Sequence, residues 1–108
     1  MTSAYTLDDL QARVIQLNQQ IGGNWAAEWQ LLWIVEEIGE VSRALQKLEN
    51  LPAKLFDEDQ RALQDNLKEE VGDVLYGLIS FCNTVNLDIK ESLLYSIEKF
   101  EERHSVNP

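Results

Sequence analysis

The chain has 108 residues, 44% of them hydrophobic and 26% charged, a balance typical of one globular domain and not of a disordered segment. With a formal net charge of −10 it lacks the basic stripe needed to bind nucleic acid, and no apolar run is long enough to span a membrane. The first five residues have no basic region followed by an apolar stretch, so we expect no secretory signal, and the single cysteine, Cys82, cannot form an internal disulfide. We therefore expect one domain over residues 1–108, in the cytoplasm, with Cys82 in the core.

The first of four predicted helices covers residues 7–21. Thr6 and Asp9 have the spacing of a capping box, and Gly22 is expected to end the helix. Apolar residues at helical spacing predict its buried stripe. The stripe consists of Leu7, Leu10, Val14, Leu17 and Ile21.

The second helix is predicted over about 25–49, with Asn24 as N-cap and a proline-containing loop over 51–58 after it. Periodicity predicts one core-facing stripe along this helix. Its members are Leu31, Ile34, Ile38, Val41, Leu45 and Leu48.

The third helix is predicted over about 59–84, and its apolar positions cover nearly half of the circumference, which predicts a central place in the fold. The fourth is predicted over about 89–104, with Asp88 as N-cap and Glu91 completing a capping box. Its predicted inward residues are Ile89, Leu93, Leu94, Ile97 and Phe100. No segment has the strict alternation of a half-buried strand, so the expected fold class is all-α.

Two acidic clusters interrupt these apolar patterns: Glu36, Glu37 and Glu40 in helix two, and Glu70 and Asp73 in helix three. Like charges one turn apart destabilise a helix, and two such clusters brought together would repel without a cation. Carboxylates from two helices can hold Mg²⁺ or Mn²⁺, which prefer oxygen ligands. The chain has a single histidine, near the C-terminus, which argues against a di-iron site. The alternative is a solvated acidic face.

Three tryptophans, Trp25, Trp29 and Trp33, recur every four residues on the same arc of helix two as its acids. Since tryptophans seldom face open water, another helix, a second subunit or a ligand is expected to cover this arc. A core stripe and a tryptophan stripe on one helix are more apolar surface than a chain of this length covers easily. We therefore predict a homodimer or homotetramer.

The residues around the acids resemble a known family. Residues 33–45 and 69–76 are similar to the two acidic motifs, E-E-x-x-E and E-x-x-D with their apolar frames, of the MazG-like all-α nucleoside triphosphate pyrophosphohydrolases. Residues 98–103 are similar to the C-terminal Lys/Arg motif of that family. The resemblance implies a four-helix bundle-like fold of the MazG type. The segment 41–69 is long for the compact members, and its loop is a candidate lid or oligomer contact.

The resemblance also implies a reaction in which an NTP or dNTP and water give the monophosphate and pyrophosphate, as in house-cleaning of the nucleotide pool. Mg²⁺ would be the cofactor, with Mn²⁺ as a substitute. The implied metal ligands are Glu37, Glu40, Glu70 and Asp73. Glu36 would complete a second metal position or orient the attacking water.

Lys99 and Arg103 would bind the phosphate chain by the same resemblance, and an ordinary surface pair is the alternative. Trp25, Trp29 and Trp33 are candidates to stack on the nucleobase, with core or subunit-interface packing as the alternative. Two rival functions remain open. One is a non-enzymatic acidic helical module that binds a partner through its tryptophans. The other is a pyrophosphohydrolase of the same superfamily that acts on another nucleotide, such as phosphoribosyl-ATP.

Overall fold

A computed structural model describes residues 4–22, 25–50 and 57–105, and regular structure in these ranges is helical throughout. The helices are α1 (Leu7–Ile21), α2 (Ala27–Glu49), α3 (Asp57–Thr84) and α4 (Ile89–Arg103). The all-α prediction is confirmed. Most of the predicted 51–58 loop lies outside the described residues. None of the described helices is both long and apolar enough to cross a membrane.

Side-chain caps fix the starts of α1 and α4 as predicted. The Thr6 hydroxyl accepts from the Asp9 N–H at 3.1 Å, and the Asp9 carboxylate accepts from the Thr6 N–H at 3.0 Å, which completes the capping box. Gly22, with φ +75°, ends α1 in the left-handed conformation that glycine adopts without strain. Asp88 accepts from the Glu91 N–H at 2.9 Å, so this half of the predicted box at α4 is present.

The start of α2 differs from the prediction. The helix begins at Ala27, with Ala26 as an N-cap that makes no side-chain bond. The predicted cap, Asn24, lies outside the described residues. Trp25 therefore precedes the helix, and the expected run of three tryptophans on one helix begins only at Trp29.

The chain divides into two compact units, Met1–Trp25 with Ile79–Pro108, and Ala26–Leu78. In the first unit the Gln11 side chain joins α1 to the turn between α3 and α4. Its amide nitrogen donates to Asn83 Oδ1 at 2.8 Å and to the Leu87 carbonyl at 2.9 Å, while its oxygen accepts from the Ile89 N–H at 3.1 Å. Cys82 is buried here as predicted, and burial raises the pKa of its thiol. The extent of the domain, residues 1–108, stays a prediction.

In the second unit the inward stripe of α2 is centred on Gln30, Ile34 and Ala44, all buried. The predicted core face was wrong for three of its members, which are exposed in the single chain. These are Leu31, Ile38 and Leu45. The physical reason is that α2 carries apolar residues on two arcs, and the neighbouring helix, not the periodicity, decides which arc is covered.

The predicted inward face of α4 was also wrong for the single chain. No residue of α4 is buried, and four of the five predicted inward residues are at least 43% exposed. They are Leu93, Leu94, Ile97 and Phe100. Amphipathic spacing identifies a face that favours burial, but it cannot show whether the chain itself supplies the cover.

Candidate metal site

Three acidic side chains converge between α2 and α3 in the second unit. Carboxylate oxygens of Glu37, Glu70 and Asp73 all lie within 4.8 Å of one another, and each of the three residues is half-buried. Glu37 lies one helical turn after the buried Ile34, which turns it towards α3. Glu70 and Asp73 are three residues apart on α3 and therefore share a face of that helix.

The electrostatics of this group are unfavourable without a cation. Partial burial is the largest cause that raises the pKa of Glu37, and the charges of Asp73, Glu70 and Glu40 raise it further. A side-chain hydrogen bond between Glu37 and Glu70 adds to the effect, because a proton held between two carboxylates favours the neutral form. The group therefore has an excess of negative charge that a bound cation would relieve.

The donor atoms fit a hard divalent cation. At the 2.0–2.1 Å bond length of Mg²⁺, two oxygens of an octahedral site lie roughly 3.0 Å apart when adjacent and roughly 4.2 Å apart when opposite. The observed upper limit of 4.8 Å is close to the second value, so a small closure of the side chains completes the geometry. Three carboxylates also leave coordination positions for water and for substrate oxygens. Among the described residues, no second group of three or more His, Cys, Asp or Glu side chains converges in this way.

The other two predicted acids lie differently. Glu40 is half-buried and accepts a 2.7 Å hydrogen bond from the Arg43 guanidinium, yet its charge still raises the pKa of Glu37. Glu36 is exposed and is not part of the converging group. The role of Arg43 was missed, although its position three residues after Glu40 is an ordinary helical ion-pair spacing.

Trp33 lies directly against Gly77 of α3. A Cβ built on Gly77 would lie 2.6 Å from Trp33 Cζ3 and 2.9 Å from Ile34 Cγ1. The Trp33 ring therefore fills the space beside this glycine. Trp29 and Trp25, by contrast, are 65% and 56% exposed.

The two predicted phosphate-binding bases lie in the first unit, about one turn apart on α4. Lys99 Nζ is 5.0 Å and Arg103 Cζ is 5.9 Å from the centre of the Phe100 ring. Both distances are within the range of cation–π attraction, so each cation is held near the Phe100 ring. Phe100 was predicted to face inward, so its contact with these two bases was not expected.

The helices and the converging carboxylates define the class: an all-α protein with a candidate divalent-metal site. The MazG nucleotide pyrophosphohydrolase domain matches residues 27–106, and the chain belongs to this family. The resemblance found in the sequence is thereby confirmed. The chain is also similar to the uncharacterized protein YpjD of Bacillus subtilis (strain 168), with 27% identity over 99 residues, which cover 91% of this chain and 86% of that protein. Members of the family generally depend on a divalent metal.

Proposed function

We propose that this protein is a Mg²⁺-dependent nucleoside triphosphate pyrophosphohydrolase that converts an NTP or dNTP and water to the monophosphate and pyrophosphate. The observation that carries the proposal is the convergence of Glu37, Glu70 and Asp73 from two helices to within 4.8 Å. Membership of the MazG family supports the same reaction class. Cytoplasmic location is part of the proposal, because a reducing compartment suits the buried, unpaired Cys82 thiol.

The roles of the residues follow from their chemistry. Glu37, Glu70 and Asp73 would hold the ion, and Glu40 would join them on release from Arg43. A bound Mg²⁺ supplies positive charge to the phosphates and lowers the pKa of a coordinated water. In the reaction the water oxygen bonds to the α-phosphorus, the bond from that phosphorus to the bridging oxygen breaks, and pyrophosphate leaves. Glu36 is proposed to orient this water and to accept its proton at a carboxylate oxygen, or to complete a second metal position.

Lys99 and Arg103 are proposed to bind the phosphate chain. Their support is the family motif and their shared contact with Phe100, which places two positive charges around one ring in a chain with a net charge of −10. The exposed ring of Trp29 favours a role in nucleobase stacking, and Trp25 remains a second candidate. Trp33 is a weaker candidate for stacking, because its ring already lies against Gly77.

A homodimer or homotetramer is the proposed assembly. Its support is the exposed apolar surface of the single chain, which includes residues of α2, α3 and α4. The same surface, with the exposed Trp29, favours the rival reading of a module that binds a partner protein and has no turnover. Light scattering on the purified protein at micromolar concentration should give at least twice the monomer mass, and a monomer would contradict the proposed assembly.

The activity is tested by pyrophosphate release from all NTPs and dNTPs, and from phosphoribosyl-ATP, with Mg²⁺ or with EDTA. At least one nucleotide should be hydrolysed in Mg²⁺ and none in EDTA. Asp73→Asn and Glu40→Gln should each lower kcat/KM more than about 100-fold, beyond the 10–100-fold typical of groups that only support a ligand. Glu69→Gln, an exposed neighbour of Glu70, is the matched control. Full activity in both site variants, or no turnover with any nucleotide, would refute the assignment.

A further inference from the structure

We infer that Gly77 is a positioning residue: it lets the Trp33 ring lie against the backbone of α3 and so sets the separation of α2 and α3 at the acidic group. Gly77 lies one residue beyond the second acidic motif, and its contact with Trp33 is not among the roles that the resemblance implies. The inference rests on the proposed function only in that it requires the acidic group to bind a divalent cation.

The contact leaves no space for a side chain at position 77. A methyl carbon there would lie 2.6 and 2.9 Å from two carbons of the Trp33 ring and 2.9 Å from Ile34 Cγ1. Carbon atoms in favourable contact are about 3.5–4.0 Å apart, so the two helices would have to separate by roughly 1 Å or the ring would have to turn. Neither neighbour is the free end of a flexible chain, because Trp33 is half-buried and Ile34 is 4% exposed.

The position of this contact connects it to the metal site. Trp33 precedes Glu37 by one helical turn, and Gly77 follows Asp73 by one turn, so the contact and the acidic group lie on successive turns of an antiparallel helix pair. A displacement of one rigid helix at Trp33 is therefore carried to the Glu37 carboxylate. The three donor oxygens lie within 4.8 Å of one another, and opposite ligands of Mg²⁺ are roughly 4.2 Å apart, so a further separation of roughly 1 Å would impair the geometry that a Mg²⁺ or Mn²⁺ ion needs.

The other described helical glycines show that position 77 is special. A Cβ built on Gly39 or Gly72 would meet nothing within 4 Å, although both residues adjoin predicted site acids. Alanine at those positions should help the helix, since glycine in a helix interior costs about 0.5–1 kcal/mol relative to alanine. Only at Gly77 does the neighbouring helix exclude the methyl group.

The test is Mn²⁺ affinity, measured by electron paramagnetic resonance without nucleotide, in the wild type, Gly77→Ala and Gly72→Ala. Gly72→Ala is the matched control, with the same substitution in the same helix. Gly77→Ala should bind Mn²⁺ about 10–100-fold more weakly, the loss typical of a residue that supports metal ligands. Gly72→Ala should bind it as the wild type does.

The double variant Trp33→Leu with Gly77→Ala should recover most of the affinity, because a smaller side chain makes room for the methyl group. Pyrophosphate release by Gly77→Ala should rise as the Mn²⁺ concentration is raised, which loss of fold would not produce.

Wild-type affinity in Gly77→Ala, or no recovery in the double variant, would overturn the inference. If Gly77→Ala does not fold by circular dichroism, Trp33→Ala decides: it removes the spacer without adding bulk, and it should also weaken Mn²⁺ binding. Unchanged affinity in Trp33→Ala then overturns the inference. Failure of the proposed function is seen separately, as a wild type that binds Mn²⁺ but hydrolyses no nucleotide. A wild type that does not bind Mn²⁺ would refute both.

Discussion

Replacement of Glu37 by glutamine should stabilise the metal-free protein and abolish its stabilisation by Mg²⁺. Two unit charges 4.8 Å apart, the upper limit for the oxygens of this group, repel by about 0.9 kcal/mol at the dielectric constant of water and by about 3.5 kcal/mol at an effective value of 20. Glu37 has two such neighbours, Glu70 and Asp73, and the group is only half-buried, so solvent and salt screen the repulsion. We therefore expect Glu37→Gln to raise the free energy of unfolding by about 1–2 kcal/mol without metal, or about 4–8 °C in Tm for each kcal/mol.

Mg²⁺ should make the wild type more stable than Glu37→Gln. A ligand present at 100 times its Kd stabilises the folded state by about 2.7 kcal/mol, and the wild type should gain this amount while Glu37→Gln gains little. Thermal melts followed by circular dichroism in EDTA and in a Mg²⁺ series measure both effects. Glu69→Gln is the control, because it removes an exposed charge next to the group and should respond to Mg²⁺ as the wild type does. Repulsion within the acidic group is contradicted if Glu37→Gln is no more stable than the wild type in EDTA, and the metal site is contradicted if Mg²⁺ stabilises both proteins equally.

The pH dependence of the same difference gives an independent check. The folded protein raises the pKa of Glu37 above its ordinary value of 4.5, mainly through burial and then through the nearby acids. The folded state therefore binds a proton more tightly than the unfolded state. Without metal, the contribution of Glu37 to the free energy of unfolding is then greatest below pH 4.5. It is lost as the pH rises through the raised pKa. In EDTA, the free energy of unfolding of Glu37→Gln should accordingly exceed that of the wild type by the full amount at neutral pH. This difference should disappear as the pH falls to about 4. A constant advantage across this range would contradict the repulsion as its cause.

One further prediction concerns the first unit. Gln11→Ala should lower the free energy of unfolding by about 1–3 kcal/mol, because Asn83 Oδ1 and the Ile89 N–H would lose their partner, and urea unfolding measures this change. Gln19→Ala, on the exposed side of the same helix, should change it by less than about 0.5 kcal/mol.

Local sequence signals predicted the ends of the helices well where a side chain makes the end. The Thr6 and Asp9 box, Gly22 and Asp88 each act within four residues, so their identities suffice to place the boundary. The start of α2 has no such signal, since Ala26 makes no side-chain bond, and its boundary was placed two residues too early. Boundaries are thus readable from sequence when the hydrogen bond that forms them is local.

The covered face of α2 could not be predicted in the same way. The predicted stripe joined Ile34 to the more apolar arc of Leu31, Ile38 and Leu45, although Ile34 has helical spacing with a second arc, Gln30 and Ala44, as well. The structure covers the second arc, which includes an amide and leads to Glu37. The convergence of Glu37 with Glu70 and Asp73 likewise depends on how two distant segments pack. Family motifs pointed to that convergence, whereas the acids and their spacing alone left a solvated acidic face open as the alternative.

The location of Glu37 on the covered arc links the stability of this helix pair to its chemistry. At the turn that holds the acids, three like charges drive α2 and α3 apart in the absence of a cation. At the adjacent turn, the contact of Trp33 and Ile34 with Gly77 holds them together, and a tryptophan ring buries enough apolar area to offset a repulsion of a few kcal/mol. The close contact is therefore needed where the charge is greatest, and a bulkier residue at position 77 would weaken the attraction and leave the repulsion unchanged. The attraction at the Trp33 contact therefore keeps the three carboxylates close together before a cation binds. The ion does not have to draw the two helices together.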